Sequence, residues 1–156
     1  MRIRNVIAED YYYIAPVIND WWGGRQMMDM MPKLFFDHFN DTSFIAEKDG
    51  EYIGFLIGLL SQSKPTEAYI HFVGVHPEFR RASIGKKLYE TFFKEVQLRG
   101  ITRVRAVTSP INQTSISFHT KMGFMIETED KVVDGLSVYS NYDGIGQDRV
   151  LFLKDL

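Results

Sequence analysis

Arg80 and Arg81 stand just ahead of Gly85 in the run Val75–Leu88, VHPEFRRASIGKKL. Two adjacent guanidinium groups, then Ala82, Ser83, Ile84, Gly85 and Lys86, suit a phosphate-bearing ligand. The cations supply charge, and the small residues let the backbone approach the ligand closely. From Ile84 onward Leu88, Phe92 and Val96 recur every four residues, which predicts a helix. The first N–H groups of a helix lack intrahelical acceptors and carry partial positive charge. Turn and helix together therefore predict a phosphate or pyrophosphate site. The Gly-x-x-x-x-Gly-Lys-Ser/Thr loop and the three-glycine dinucleotide fingerprint are both absent. Two histidines, His71 before the turn and His119 after it, offer proton-transfer chemistry.

The elements that must position these residues alternate along the chain. Arg2–Ile7 reads as a strand, and Asp10 as the cap of a helix to about Asn19. Trp21-Trp22-Gly23-Gly24-Arg25 reads as a loop. Met30–Phe39 reads as a helix with Pro32 in its first turn. Thr42–Glu47 and Tyr52–Leu60 read as strands joined at Asp49-Gly50, a hairpin signal. Ala68–Val75 is a predicted strand that Pro77 closes. Period two puts Tyr69, His71, Val73 and Val75 on one face of it. The helix from Ile84 runs to about Arg99, with Gly100 at its C′ position. Arg103–Thr108 reads as a strand, Asn112–Met122 as a helix, and Phe124–Thr128 and Arg149–Leu153 as closing strands. Between these last two lies a long loop or irregular hairpin. The pattern predicts a mixed sheet flanked by helices, α/β or α+β in class.

Composition narrows the function. The chain has 156 residues, 45% hydrophobic and 24% charged, which suits one domain over residues 1–156. A net charge of −2 without a basic run points away from nucleic acid. With no cysteine, thiolate metal sites and a cysteine nucleophile are excluded, and no metal is expected. No apolar run is long enough to span a membrane, and the N-terminus lacks a signal-peptide core, so a cytoplasmic location is expected.

The turn resembles the acetyl-CoA-binding segment of the GNAT superfamily of N-acetyltransferases, whose pattern is Arg/Gln-x-x-Gly-x-Gly/Ala after a strand ending Val-x-Pro. Here it stands as Arg80-Arg81-Ala82-Ser83-Ile84-Gly85, with Ser83 in place of the first glycine. A second segment, Asn112–Phe124, NQTSISFHTKMGF, resembles the family's later Asn-x-x-Ala-x-x-Leu-Tyr-x-Lys-x-Gly-Phe. Asn112, Phe118, Lys121, Gly123 and Phe124 fall in register, Ser115 takes the small-residue place, and His119 replaces the tyrosine. The likeness covers about residues 42 to 128. It implies a mixed, mostly antiparallel sheet whose central strands splay to admit the cofactor.

What the resemblance implies for the site follows residue by residue. Acetyl-CoA would be the cosubstrate, attacked directly by the amine. Backbone N–H groups from Arg81 through Lys86, with charge from Arg80 or Arg81, would hold the pyrophosphate. Ser83 would act as a helix N-cap or phosphate donor, or its side chain would crowd the pyrophosphate and weaken CoA binding. The strand from Phe72, with Val73 and Val75, would pair with the pantetheine, and Asn112 and Ser115 would complete the cofactor site. His119 would protonate the leaving thiolate. His71 would deprotonate the amine, as in arylalkylamine N-acetyltransferases, with Glu67 and Tyr69 as alternatives. Trp21 and Trp22 would wall the acceptor site, with Arg25 and Tyr69 beside them. Independently of the resemblance, the charge of the acidic segment Glu127–Asp148, with Tyr139 and Tyr142, either favours a cationic small-molecule amine or marks a solvated loop, and a homodimer partner could order it. A non-catalytic acyl-CoA sensor, or an interaction module using the tryptophans, fits the same residues.

Overall fold

The computed structural model describes residues 1–156. Proline and glycine set several element boundaries. Pro16 has no N–H to donate, so the expected Asp10–Asn19 helix divides into α1 (Tyr11–Ile14) and α2 (Ile18–Trp21). Pro32 pushes Met31 out of helical geometry, to φ −132° and ψ 62°. The expected Met30–Phe39 helix thus becomes a 3₁₀ turn at Met28–Met30 and a short α3 (Leu34–His38). The long helix α4 (Ile84–Leu98) ends as its sequence predicts. Gly100, at φ +83°, donates to the Gln97 carbonyl, and Ile101 donates to that of Val96. That pair of bonds is a Schellman cap. Helix α5 spans Gln113–Lys121.

The strands are β1 (Arg2–Asn5), β2 (Phe44–Lys48), β3 (Glu51–Leu60), β4 (Glu67–Val75), β5 (Arg103–Thr108), β6 (Met125–Ile126), β7 (Lys131–Val133), β8 (Leu136–Val138) and β9 (Val150–Asp155). Seven form one sheet in the order β1-β2-β3-β4-β5-β9-β6, and β7 with β8 forms a separate hairpin. The expected long loop or irregular hairpin before the last strand contains a regular two-stranded hairpin. Its turn, Asp134-Gly135, has φ +51° and +82°, nearly the geometry of Asp49-Gly50 at +51° and +77°. Both are Asp-Gly turns, so the signal was already in the sequence.

Every neighbouring pair in the main sheet is antiparallel except β4–β5. That parallel pair is joined through α4, as a crossover requires. Its register covers only Glu67↔Arg103, Ala68↔Val104 and Tyr69↔Arg105. Beyond Tyr69 and Arg105 the two strands continue apart, so Ile70–Val75 and Ala106–Thr108 flank an open wedge. The larger core packs α4 on one face of the sheet around Leu88, Phe92 and Phe152. The smaller core packs the N-terminal helices on the other face around Ile14, Ile18 and Phe36.

A bulge sits at the start of the wedge. Ile57 pairs with Phe72 and Gly58 with Ile70, leaving His71 as the extra residue on β4. A bulge reverses facing along a strand. Ala68, Ile70, Val73 and Val75 accordingly belong to the larger core and Phe72 to the smaller. The expectation that His71 shares a face with Val73 and Val75 is therefore corrected.

Candidate active site

The basic turn meets the end of β4. At Gly85 a Cβ would lie 3.5 Å from Phe118 and 3.8 Å from Val75, ordinary packing distances. The first intrahelical acceptor of α4 is the Ser83 carbonyl, which takes the Lys87 N–H. The N–H groups of Ile84, Gly85 and Lys86 therefore have no acceptor within the helix. Arg81, Ala82, Ser83 and Lys86 are exposed around them. This donor set fits an anionic diphosphate.

Ser83 departs from its expected role. Its φ of +60° is left-handed, and its hydroxyl makes no capping bond. That conformation costs an L-residue roughly 1–2 kcal/mol, whereas glycine adopts it freely. The glycine in the family pattern is thus explained by backbone geometry. Ser83→Gly is expected to raise stability by about 1 kcal/mol while keeping acetyl-CoA binding. A thermal melt showing no gain would mean that the turn is not left-handed at this position.

Arg80 is directed away from the helix N-terminus. Its guanidinium donates to the carbonyls of Trp21 and, at 3.3 Å, Val75. It ties the end of α2 to the end of β4. Trp21 is only 5% exposed and stacks on Phe55, so it is core rather than the expected pocket wall. Trp22 is half-buried and lies against Phe72 at 5.0 Å. It also covers Gly74, where a Cβ would come within 2.7 Å of its ring. Arg25 is exposed in the loop that follows.

His71 is half-buried where β4 and β5 begin to part. Its ring stacks on Phe35 at 4.8 Å and 15°, and its Nε2 lies 2.6 Å from the Met30 carbonyl oxygen. Tyr69 reaches a cavity of about 280 Å³ lined also by Arg105, Glu127, Glu129, Tyr139 and Tyr142. Beneath it Arg105 bonds Glu67 at 2.6 Å and Glu127 at 2.7 Å. The Arg105 guanidinium holds the Glu67 carboxyl below the usual carboxylate range against the opposing effect of burial. Glu67 is thus engaged and poorly suited as the alternative base. Glu129 is shifted the other way, by burial and by the neighbouring Glu127. This ion network was missed in sequence because its members come from β4, β5 and the segment after β6.

His119 is 6% exposed and lies inside the larger core. Its ring stacks on Phe152 at 4.4 Å and 9°. Nδ1 lies 2.8 Å from the Ser115 carbonyl, which can only accept, so Nδ1 carries the proton. Nε2 then accepts from the Tyr89 hydroxyl at 2.8 Å. Burial pushes the imidazole below its ordinary range, against the bond to Ser115, and burial raises the Tyr89 phenol. The neutral ring has both nitrogens engaged within the protein. Asn112 caps α5 by accepting the Ser115 N–H at 3.1 Å. His119→Phe should preserve the stack but strand the buried Tyr89 hydroxyl, lowering stability by about 1–3 kcal/mol. Turnover should stay near that of the native chain. A collapse of turnover with unchanged melting would instead identify His119 as the acid.

Residues 5–124 match the model of the acetyltransferase (GNAT) family. The chain is 33% identical over 79 residues to the L-2,4-diaminobutyric acid acetyltransferase of Nocardia farcinica, covering 51% of this chain and 41% of that protein. It is 25% identical over 96 residues to the L-2,4-diaminobutyric acid acetyltransferase of Virgibacillus pantothenticus, covering 62% and 60%. The chain thus spans less than two thirds of the length of either relative. A diaminobutyrate acetyltransferase from Paenibacillus lautus, solved with L-2,4-diaminobutyric acid and coenzyme A, superposes with a TM-score of 0.72 at 22% identity. That likeness covers 97% of this chain and 92% of that one, and is one of fold.

Proposed function

The chain belongs to the GNAT acetyltransferase family, and on that premise we propose that it transfers an acetyl group from acetyl-CoA to a primary amine of a small molecule, acting as one domain over residues 1–156. The observation that carries this reading is the wedge between β4 and β5, with Gly85 and the first turn of α4 packed against Val75 at the end of β4. Acetyl-CoA supplies the acetyl group as a thioester, and the chain's own residues bind, orient and move protons. The N–H groups of Ile84, Gly85 and Lys86 hold the pyrophosphate, with charge from Arg81 and Lys86. Val73 and Val75 offer backbone groups to the pantetheine, with Asn112 and Ser115 behind the turn. Arg80 braces the site by joining β4 to α2.

His71 serves as the base that takes the amine's proton. His119 has no proton facing outward and serves the core. Trp22 and Tyr69 border the acceptor site, with Arg25 beside it. A small amine bearing a second charge is supported by the names of the two relatives. It is also supported by Glu129, which lies beside Glu127 in a cavity wall that Lys64 and Arg105 share and forms no ion pair of its own, since Arg105 is engaged by Glu67 and Glu127. An ammonium group there would relieve that repulsion.

Calorimetry with acetyl-CoA, followed by free-thiol release across an amine panel that includes L-2,4-diaminobutyric acid, tests the proposal. Binding with turnover is expected. Failure to bind acetyl-CoA overturns the reading. Tight binding without turnover for any amine favours an acyl-CoA sensor, a reading supported by the position of His119 in the core.

A further inference from the structure

His71 is held by a segment far from it in sequence. Met30 and Phe35 both belong to the stretch between α2 and β2, which leaves α2 through Gly23 and Gly24, at φ +64° and +89°. A carbonyl oxygen only accepts, so in the neutral ring the 2.6 Å contact to Met30 requires the proton on Nε2. Nδ1 is then the nitrogen with the free electron pair. It makes no hydrogen bond, yet no buried side-chain nitrogen or oxygen lacks a partner. Nδ1 of the half-buried ring therefore reaches solvent. The stacked Phe35 ring, 15° from coplanar, keeps the imidazole from turning about its side-chain bond.

We propose that this stretch selects the working nitrogen of His71: the Met30 carbonyl holds the proton on Nε2, Phe35 acts as a positioning residue for the ring plane, and Nδ1 accepts the proton from the amine. The proposal rests on His71 being the base. In the step, an N–H bond of the ammonium breaks, an Nδ1–H bond forms, and the amine keeps the electron pair it needs for attack. The positive charge passes to the imidazole, whose Nε2–H bond to Met30 strengthens in the charged form. Dispersion of that proton to water restores the neutral tautomer.

The test uses ¹⁵N resonances of the full chain without ligand. The chain has four histidines, and the His71→Gln spectrum assigns the one in question. The neutral ring of His71 is expected to show a protonated Nε2 and an unprotonated Nδ1. Phe35→Leu should mix the two tautomers and lower kcat about 10- to 100-fold, with an unchanged KM for acetyl-CoA and a chain that is still folded at the assay temperature. The amine used is the fastest in the panel. Phe35→Tyr should restore both readouts. A wild-type Nδ1–H tautomer, or a Phe35→Leu chain with native tautomer and native kcat, overturns the clamp. His71→Gln with native kcat overturns the base reading instead, and the spectrum then reports on the clamp by itself.

Discussion

Gly85→Glu is expected to abolish acetyl-CoA binding while leaving the protein folded. The two effects separate because the position is open to a side chain but closed to negative charge. A Cβ at Gly85 meets Phe118 at 3.5 Å and Val75 at 3.8 Å, so the backbone need not move. A glutamate in the first turn of a helix is favourable to the helix itself, since it faces the positive end of the dipole. For a diphosphate the same carboxylate is repulsive and competes for the N–H groups of Ile84, Gly85 and Lys86. The affinity loss should be about 100-fold or more, roughly 2.7 kcal/mol. Gly85→Ala is the control. It should raise helix stability by up to about 1 kcal/mol, and its binding reports whether the ligand needs the bare backbone. Native affinity in the glutamate variant, measured by calorimetry, would mean that the turn does not hold the phosphates.

Asp10→Ala should have the largest effect on stability. Asp10 is 1% exposed and accepts four hydrogen bonds: two from Arg4 at 2.9 Å each, one from the Ile7 N–H at 2.8 Å and one from the Tyr52 hydroxyl at 2.9 Å. It was expected to cap a long helix. It instead ties β1 and β3 to the start of the N-terminal helices. Removing it takes the acceptor from the Tyr52 hydroxyl and the Ile7 N–H and leaves Arg4 with Glu47 and the Asn5 carbonyl only, at a cost of about 3 kcal/mol, or roughly 10 °C in Tm for a chain of this size. Burial alone would raise the Asp10 carboxyl, but its donors, Arg4 foremost, pull it below the ordinary range. Its contribution is therefore complete above the unfolded value near pH 4 and is lost as pH falls through the lower folded value. Native stability should decline on acidification, and Asp10→Asn should flatten that decline. Parallel acid profiles for both chains would remove Asp10 from the account. Because α1 and α2 lead into the stretch over His71, a weakened anchor should also lower turnover at temperatures below the melt.

Much of the framework was legible in short spans of sequence. The four-residue apolar repeat of α4 and the glycine at its end predicted a helix that forms with the expected cap. Asp49-Gly50 predicted a hairpin, and Asp134-Gly135 carried the same information. These features depend on residues within a turn or two of one another, where backbone conformation and local hydrogen bonding decide the outcome. The basic turn was legible for the same reason, since charge, small residues and helix start are contiguous.

The site's finer arrangement was decided across long separations. The extra residue at His71 arises from pairing with β3, and it reverses the facing that simple alternation implies. The wedge exists because β4 and β5 share three paired positions and then part. Met30 and His71 are 41 residues apart, and Tyr89 and His119 are 30 apart. Nothing in either local sequence says which ring nitrogen will meet an acceptor, or that one histidine will reach solvent while the other fills the core. The sequence by itself determined the long helix α4, most of the strands, the basic turn at its N-terminus and the family. Tertiary structure decided the protonation and exposure of each histidine, because a hydrogen bond needs its donor and acceptor within about 3 Å and only the folded chain brings these pairs that close.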